Sequence, residues 1–240
     1  MKKIIVFTFL VLSLFILTVA VGAAEVSVEA DDGRIFEAQD TSFNLPSYIS
    51  PSSVKLVHSG TKTVTYKNAQ GTTVDLPTGT RVDLTPFKTK TPSGQEFYML
   101  TVYSNGSANY LVFNFADNLP SVHVQTSIGE RTLTSTNVKD EAAHITIINK
   151  DGSYEYGDVE NKSEIKVRGN ATKAYAKKPF QIKLDTKTDL YGMGESKTWI
   201  LLANYDDQSL IRNNIMYQIG ALLGMHTCEF RNVDLWLDGQ

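Results

Sequence analysis

The sequence predicts an exported α+β protein: a hydrophobic leader, then a module of short strands, then an antiparallel sheet that carries a packed helix. Three observations predict it. Lys2 and Lys3 precede a long uncharged apolar run, alternating segments separated by turn residues follow from Glu25, and a helical period appears over 208–223.

The leader is assigned to residues 1–24. Its apolar run, 4–21, ends in Val21-Gly22-Ala23-Ala24, the small residues behind which a signal peptidase cuts. The run is long for a signal core, so an uncleaved anchor is the alternative, and a membrane is expected as a partner only in that case. In either form the body of the chain is expected outside the cytoplasm, secreted or at the cell surface. The single cysteine, Cys228, cannot form an internal disulfide, so it reads as a small buried apolar side chain. A net charge of −3 offers no general attraction to nucleic acid, and no such partner is expected.

Residues 25–118 read as strands at 54–57, 63–66, 72–76, 80–84, 97–103 and 109–115. Turn residues separate them at 68–71, 77–79, 92–94 and Asn105-Gly106, with no helical period between. The expectation is an immunoglobulin-like β-sandwich, a module that usually spaces, presents or binds. Asp117-Asn118-Leu119-Pro120 is the expected junction, because Pro120 ends pairing before a new strand begins.

Residues 119–240 mix strands, at 122–126, 144–149, 164–169, 179–185, 198–203 and 232–237, with the helix 208–223. Asp207 is the expected N-cap and Gly224 the stop. Ile211, Ile215, Ile219 and Leu222 share one helix face, which is expected to pack on the sheet. After the last strand, Asp238-Gly239 is a favoured two-residue hairpin dipeptide. Its return strand is missing, so the expectation is an unpaired edge on the last strand and a truncation at Gln240.

The segments 165–169 and 179–185 say most about function. Ile165 and Val167 share a face, as do Phe180, Ile182 and Leu184, which leaves Lys166, Arg168, Gln181 and Lys183 on the opposite faces, over a cleft. Between the segments, Gly169 permits a backbone other residues avoid, and Lys173, Lys177 and Lys178 repel one another unless an anion or carboxylate offsets them. The loop reads as a phosphate seat, with a solvated, solubilising loop as the plain alternative.

The same residues carry a resemblance. Arg168-Gly169-Asn170-Ala171-Thr172, Lys177-Lys178-Pro179-Phe180, Lys183, Leu190, Gly192-Met193, Trp199, Leu202-Ala203-Asn204-Tyr205 and Leu210-Ile211-Arg212-Asn213 resemble the signature of the CotH kinase family, named for a spore coat protein. The resemblance covers 119–240 and implies part of the small lobe of an atypical kinase-like fold, an antiparallel sheet with a packed helix. It implies ATP with Mg or Mn as cofactor, and transfer of phosphate to Ser or Thr of protein partners such as coat or cell-surface proteins. Arg168, Lys177, Lys178 and Lys183 then become the phosphate-binding residues, supported by Asn170, Asn204, Arg212 and Asn213. The metal-binding acids are expected beyond Gln240, so no catalytic residue or metal ligand is assigned within the chain.

One departure stands out. An ordinary kinase pairs its phosphate lysine with a helix glutamate, but 208–223 contains no Asp or Glu, so Gln218, Asn214 or bound phosphate has to replace it. Plain structural roles also stand beside each assignment. Lys183 can be a solvated strand lysine, Arg168 can bridge to Asp185 or Asp206, and Arg212 can be offset by Asp206 or Asp207. Asn204 and Asn213 can serve as caps. A surface or cell-wall binding protein without catalysis is the alternative function, and ATP is scarce outside cells.

Other signals fail. Gly192-Met193-Gly194 lacks the third glycine of a dinucleotide fingerprint, and His58, His123, His144 and His226 have no metal-ligand spacing.

Overall fold

The computed structural model describes residues 3–7, 26–59, 63–104, 106–136 and 138–239. Strands dominate, with few helices. The chain divides into two compact units, one built from Leu119–Asp238 with strand β1 (Lys3–Phe7), the other from residues up to Asn118.

The unit that ends at Asn118 contains two sheets. One has the order β3 (Ile35–Phe36), β2 (Val26–Glu29), β5 (Val54–His58), β8 (Thr80–Val82). The other has the order β4 (Ser42–Leu45), β11 (Ser107–Phe115), β10 (Glu96–Ser104), β6 (Val64–Lys67), β7 (Thr73–Asp75), with β9 (Lys88–Lys90) also on β10. Alternation along β5, β10 and β11 buries Val54, Leu56, Leu100, Val102, Leu111 and Phe113, as a period of two requires. The six strands expected here all form. The short β2, β3, β4 and β9 give too little alternation to be read in advance, and β4 is secured by a distant parallel partner, β11.

The other unit is a single mixed sheet. Its strands are β12 (Ser121–Gln125), β13 (Asp140–Ile148), β14 (Tyr154–Tyr156), β15 (Ser163–Val167), β16 (Phe180–Asp189), β17 (Glu195–Leu202) and β18 (Phe230–Leu237). Helices α1 (Glu130–Thr136) and α2 (Arg212–Leu222) complete it. The order is β12-β18-β1-β17-β16-β15-β13-β14, and β12 also pairs with β13, which closes the sheet into a ring. Residues from every long strand point into that ring, among them Ile145, Ile165, Ile182, Trp199, Leu201, Val233 and Leu235.

Three expectations need correction. The sheet is not wholly antiparallel, because β12 with β18, β18 with β1, and β1 with β17 are parallel pairs. The last strand has no unpaired edge, since β12 lies on one side of β18 and residues 3–7 on the other. The helix begins at Arg212, four residues later than expected, and its apolar stripe does not pack on the sheet. Ile211, Ile215 and Ile219 are exposed, Leu222 is 86% exposed, and the buried helix residues are Asn214 and Gly220.

Gly224 does end α2 in a left-handed conformation, φ 72°, donating its N–H to the Ala221 carbonyl. Asp238 and Gly239 have φ 50° and 84°, the pair of positive values a two-residue hairpin turn requires. The leader otherwise lies outside the described residues. Among those described, no helix is long and apolar enough to cross a membrane.

Candidate functional site

Inside the closed sheet the residues are apolar, so chemistry has to lie on its outer face and at its rim. Registry between β15 and β16 sets Lys166 against Gln181, Glu164 against Lys183 and Val167 against Phe180. With Ile165, Val167, Phe180 and Ile182 in the core, Lys166, Arg168, Gln181 and Lys183 share the outer face, as the alternation predicts.

They do not share one site. Lys183 lies opposite Glu164, four positions along the strand from Arg168, a separation of about 13 Å at about 3.3 Å per residue. Its Nζ is 2.7 Å from Glu164 Oε1, and Lys139 reaches the other oxygen at 3.2 Å. These hydrogen bonds, led by that of Lys183, hold the Glu164 carboxyl below its usual range. The acid partner of Lys183 is therefore a neighbouring strand residue, neither Gln218 nor Asn214. The pair is half-exposed, and such surface pairs contribute little to stability.

The basic loop is shaped by Gly169. Its φ is 96°, and a Cβ there would lie 2.1 Å from Thr172 Oγ1, so only glycine fits without displacing the loop. The Arg168 N–H donates to the Pro179 carbonyl at 3.0 Å, the last rung before the loop opens. Lys178 turns back and donates to the Lys173 carbonyl at 2.6 Å, while Asn170 and Lys173 are exposed. The ring of Tyr175 stacks on Tyr205 at 5.0 Å, and its hydroxyl bonds Asp206, which raises the Tyr175 pKa.

Lys177 behaves differently. Burial pulls its pKa down to about 8, opposed by the charge of Asp234. Asp234, on the outer face of β18, is pushed up to about 6 by its own burial, against the pull of Lys177. Its Oδ2 is buried with no hydrogen-bond partner among the described residues. These are the most perturbed acid and base facing one another in this unit, a pattern that marks candidate functional groups.

The start of α2 and the end of β17 supply neutral polar groups at the same rim. Asn204 adopts φ 47°, donates to the Leu210 carbonyl at 3.1 Å and accepts from Asn213 Nδ2 at 2.8 Å. Asn214 Nδ2 donates to Asn232 Oδ1 at 2.8 Å, tying α2 to β18 two residues before Asp234. Asn214 Oδ1 is buried and has no hydrogen-bond partner among the described residues.

Arg212 meets its offset in Asp207. The Arg212 Nε lies 3.5 Å from Asp207 Oδ1, and the Arg212 N–H donates to Asp207 Oδ2 at 2.8 Å. Hydrogen bonds from Ser209 and from Arg212 lower the Asp207 pKa. Asp207 thus serves the helix start from five residues before Arg212, across a turn, not as the residue immediately preceding it.

For Arg168 neither Asp185 nor Asp206 is the partner. Asp185 accepts from the Tyr156 hydroxyl at 2.5 Å and Asp206 from Tyr175. Among the described residues the Arg168 guanidinium forms no ion pair, and its charge acts on the Tyr217 hydroxyl. Tyr217, with Cys228, Phe230, Ile200 and Leu202, forms the small apolar patch under α2, so Cys228 is partly buried packing.

The structure therefore pairs Asn204 with Asn213 and Asn214 with Asn232, two residues from Asp234, whose charge acts on Lys177, and the Arg168 charge acts on Tyr217 of α2. It leaves Lys183, Lys178 and Arg212 engaged elsewhere and Asn170 exposed. Sequence reasoning missed Asp234, although its alternation with Val233 and Leu235 already puts it on the outer face of a strand. Among the described residues no three of His, Cys, Asp and Glu come together to hold a metal ion.

Residues 165–240 match the family described as CotH kinase protein. Neither a curated protein nor a solved structure matches the chain.

Proposed function

We propose, from CotH family membership over residues 165–240, that the unit beginning at Leu119 is the nucleotide-binding part of an exported atypical protein kinase. In this reading ATP is the phosphate donor, Mg or Mn accompanies it, and a Ser or Thr of a coat or cell-surface protein accepts the phosphate. The module up to Asn118 is an immunoglobulin-like spacer or presenter. The observation that supports it most is the run of basic residues at the end of β15 and in the loop after it, with the Arg168 guanidinium in no ion pair among the described residues and a loop shaped by Gly169 at φ 96°. Positioning and electrostatics supply most of the rate in phosphoryl transfer, so basic and amide groups of this kind are the ones such a site needs.

Thermal melting with Mg-ATP and then Mn-ATP tests the reading. Saturation at about 100-fold over Kd stabilises a native state by about 2.7 kcal/mol, a shift of several degrees for a unit of this size. No shift at millimolar nucleotide, with either metal, removes the reading.

A second reading, recognition without catalysis, is favoured by the exposed apolar face of α2, with Ile215, Met216, Ile219, Leu222 and Leu223 open to solvent. It survives a failed nucleotide test.

A further inference from the structure

We propose that the stacked rings of Tyr175 and Tyr205 seat the nucleobase, and that the site takes a nucleoside triphosphate by stacking, without reading which purine it carries. The inference rests on the nucleotide reading and deepens it, naming where the base lies and what selectivity follows.

The two rings come from separate loops. Tyr175 follows the tight turn Thr172–Ala174 in the basic loop, its N–H donating to the Thr172 carbonyl at 3.2 Å. Tyr205 lies in the turn after β17, which the Asp207 N–H closes on the Asn204 carbonyl at 3.0 Å. The ring centroids are 5.0 Å apart with 29° between the planes, a stacked pair. Backbone hydrogen bonds hold both turns, so the support is in place before a ligand arrives and little ordering is left to be done on binding. Tyr205 is nevertheless 49% exposed. An aromatic ring held on one side and half open to water offers a π face, the surface on which a base stacks.

The surroundings favour an anionic ligand over an uncharged planar one. From Ile165 to Leu184 the chain carries Lys166, Arg168, Lys173, Lys177, Lys178 and Lys183 and no acid. Lys173 precedes Tyr175 by two residues, and Lys178 Nζ donates to the Lys173 carbonyl at 2.6 Å, which brings a second ammonium to the same turn. A stacking surface inside a basic loop suits a molecule with a flat base and a charged tail, and lysine meets phosphate as a point charge.

Selectivity follows from the residues that flank Tyr205. Asn204 donates to the Leu210 carbonyl and accepts from Asn213, Asp206 accepts from the Tyr175 hydroxyl, and Asp207 accepts from Ser209 and from the Arg212 N–H. Each polar side chain of this turn is thus oriented by a partner within the protein. Strong discrimination between ligands comes from site groups kept for hydrogen bonding to one of them, whereas stacking accepts every base because each has a π face. ATP and GTP therefore bind alike.

The test is titration calorimetry on the full chain with Mg-ATP, Mg-GTP and magnesium tripolyphosphate, for the parent, Tyr205→Leu and Tyr205→Phe. ATP and GTP bind the parent within about threefold of one another, as an unread base requires. Tyr205→Leu weakens both nucleotides at least about fivefold, the size of one base stack, and leaves tripolyphosphate within about twofold, since that probe has no base to stack. Tyr205→Phe keeps both nucleotide affinities, because the π face stays. An equal loss for nucleotides and tripolyphosphate assigns Tyr205 to the fold and overturns the platform, as does Tyr205→Leu binding ATP like the parent. A preference of more than about tenfold between ATP and GTP overturns the unread base. ATP binding that ignores Tyr205 leaves the nucleotide reading standing, whereas a parent chain that binds none of the three probes removes that reading and this inference with it, so the two failures are told apart.

Discussion

The inner and outer faces of the closed sheet are made by the same strands and obey different rules. Inside, Ile165, Ile182, Trp199 and Val233 are fully buried among apolar neighbours, and every such position follows from alternation in the sequence. Outside, the same strands carry Glu164, Lys183, Asn232 and Asp234, with Arg168 just past β15, and α2 rests on them through Asn214 and Tyr217 instead of through its isoleucines. Apolar burial is non-directional, so a pattern is enough to foretell it. Amide and charge contacts are directional, and a pattern does not say which partner each will find.

The largest effect that sharpens this contrast lies inside. Trp199 is fully buried and its indole N–H donates to the Ser196 carbonyl at 3.1 Å. Trp199→Ala removes the ring and the bond together and costs about 3–5 kcal/mol, measured by urea denaturation of the full chain. A cost below about 1 kcal/mol breaks the claim that the ring interior is the stability of this unit.

The next effect lies where α2 approaches its own C-terminal turn. A Cβ on Gly220 would stand 2.4 Å from Thr227 Cγ2. Glycine to alanine within a helix normally gains up to about 1 kcal/mol, but here the overlap costs about 1–3 kcal/mol, so Gly220→Ala destabilises. Thr227→Ser, added to Gly220→Ala, removes the clashing methyl and restores stability, which the same denaturation experiment reads. If Gly220→Ala stabilises on its own, the helix is not seated as closely as the structure has it.

On the opposite side of the same helix, substitution is nearly silent. Ile215 and Ile219 are 45% and 43% exposed, so Ile215→Glu with Ile219→Glu changes stability by about 0.5 kcal/mol or less per site. Had the stripe packed on the sheet, burying two unpaired carboxylates would cost several kcal/mol.

That helix also shows how far the sequence could be read. The longer strands of both units were legible from alternation, as were the hairpin dipeptide Asp238-Gly239 and the stop at Gly224, because each depends on local geometry. The face of α2 was not legible. Its isoleucine stripe has the spacing of a buried face, and what overrides it is a polar bond, Asn214 to Asn232, between residues far apart in the chain. The parallel pairing of β1 and β12 with β18 was hidden as well, since the partners lie more than a hundred residues away. The site divides the same way. Arg168 and Lys183 were correctly placed on the outer face, yet Lys183 is neutralised by Glu164, and the acid that meets Lys177 was overlooked because it sits in a strand read only for its alternation.

The smallest predicted effect concerns that acid, and its sign follows from burial. Asp234 titrates near 6 in the native state, above the ordinary carboxylate value it has when unfolded, and Lys177 near 8, below the ordinary lysine value. Between about pH 3.8 and pH 6 the native state therefore holds a proton on Asp234 that the unfolded chain has lost, and its contribution to stability falls as the pH rises. From about pH 8 to pH 10.5 the unfolded chain holds a proton on Lys177 that the native state has lost, so stability recovers. The pair thus contributes least between pH 6 and pH 8, where both groups are charged in the fold. Asp234→Asn abolishes the acid limb, so the difference in unfolding free energy between variant and parent changes with pH below 6 and is flat just above it. Other carboxylates of this unit, Glu164 and Asp140, have lowered pKa values and slope the opposite way at lower pH in both proteins, so they cancel in the difference. A difference that does not vary between pH 4 and pH 6 shows Asp234 to be solvated. The outer face of β18 then loses a desolvated acid, and with it the distinction between Lys177 and the other lysines.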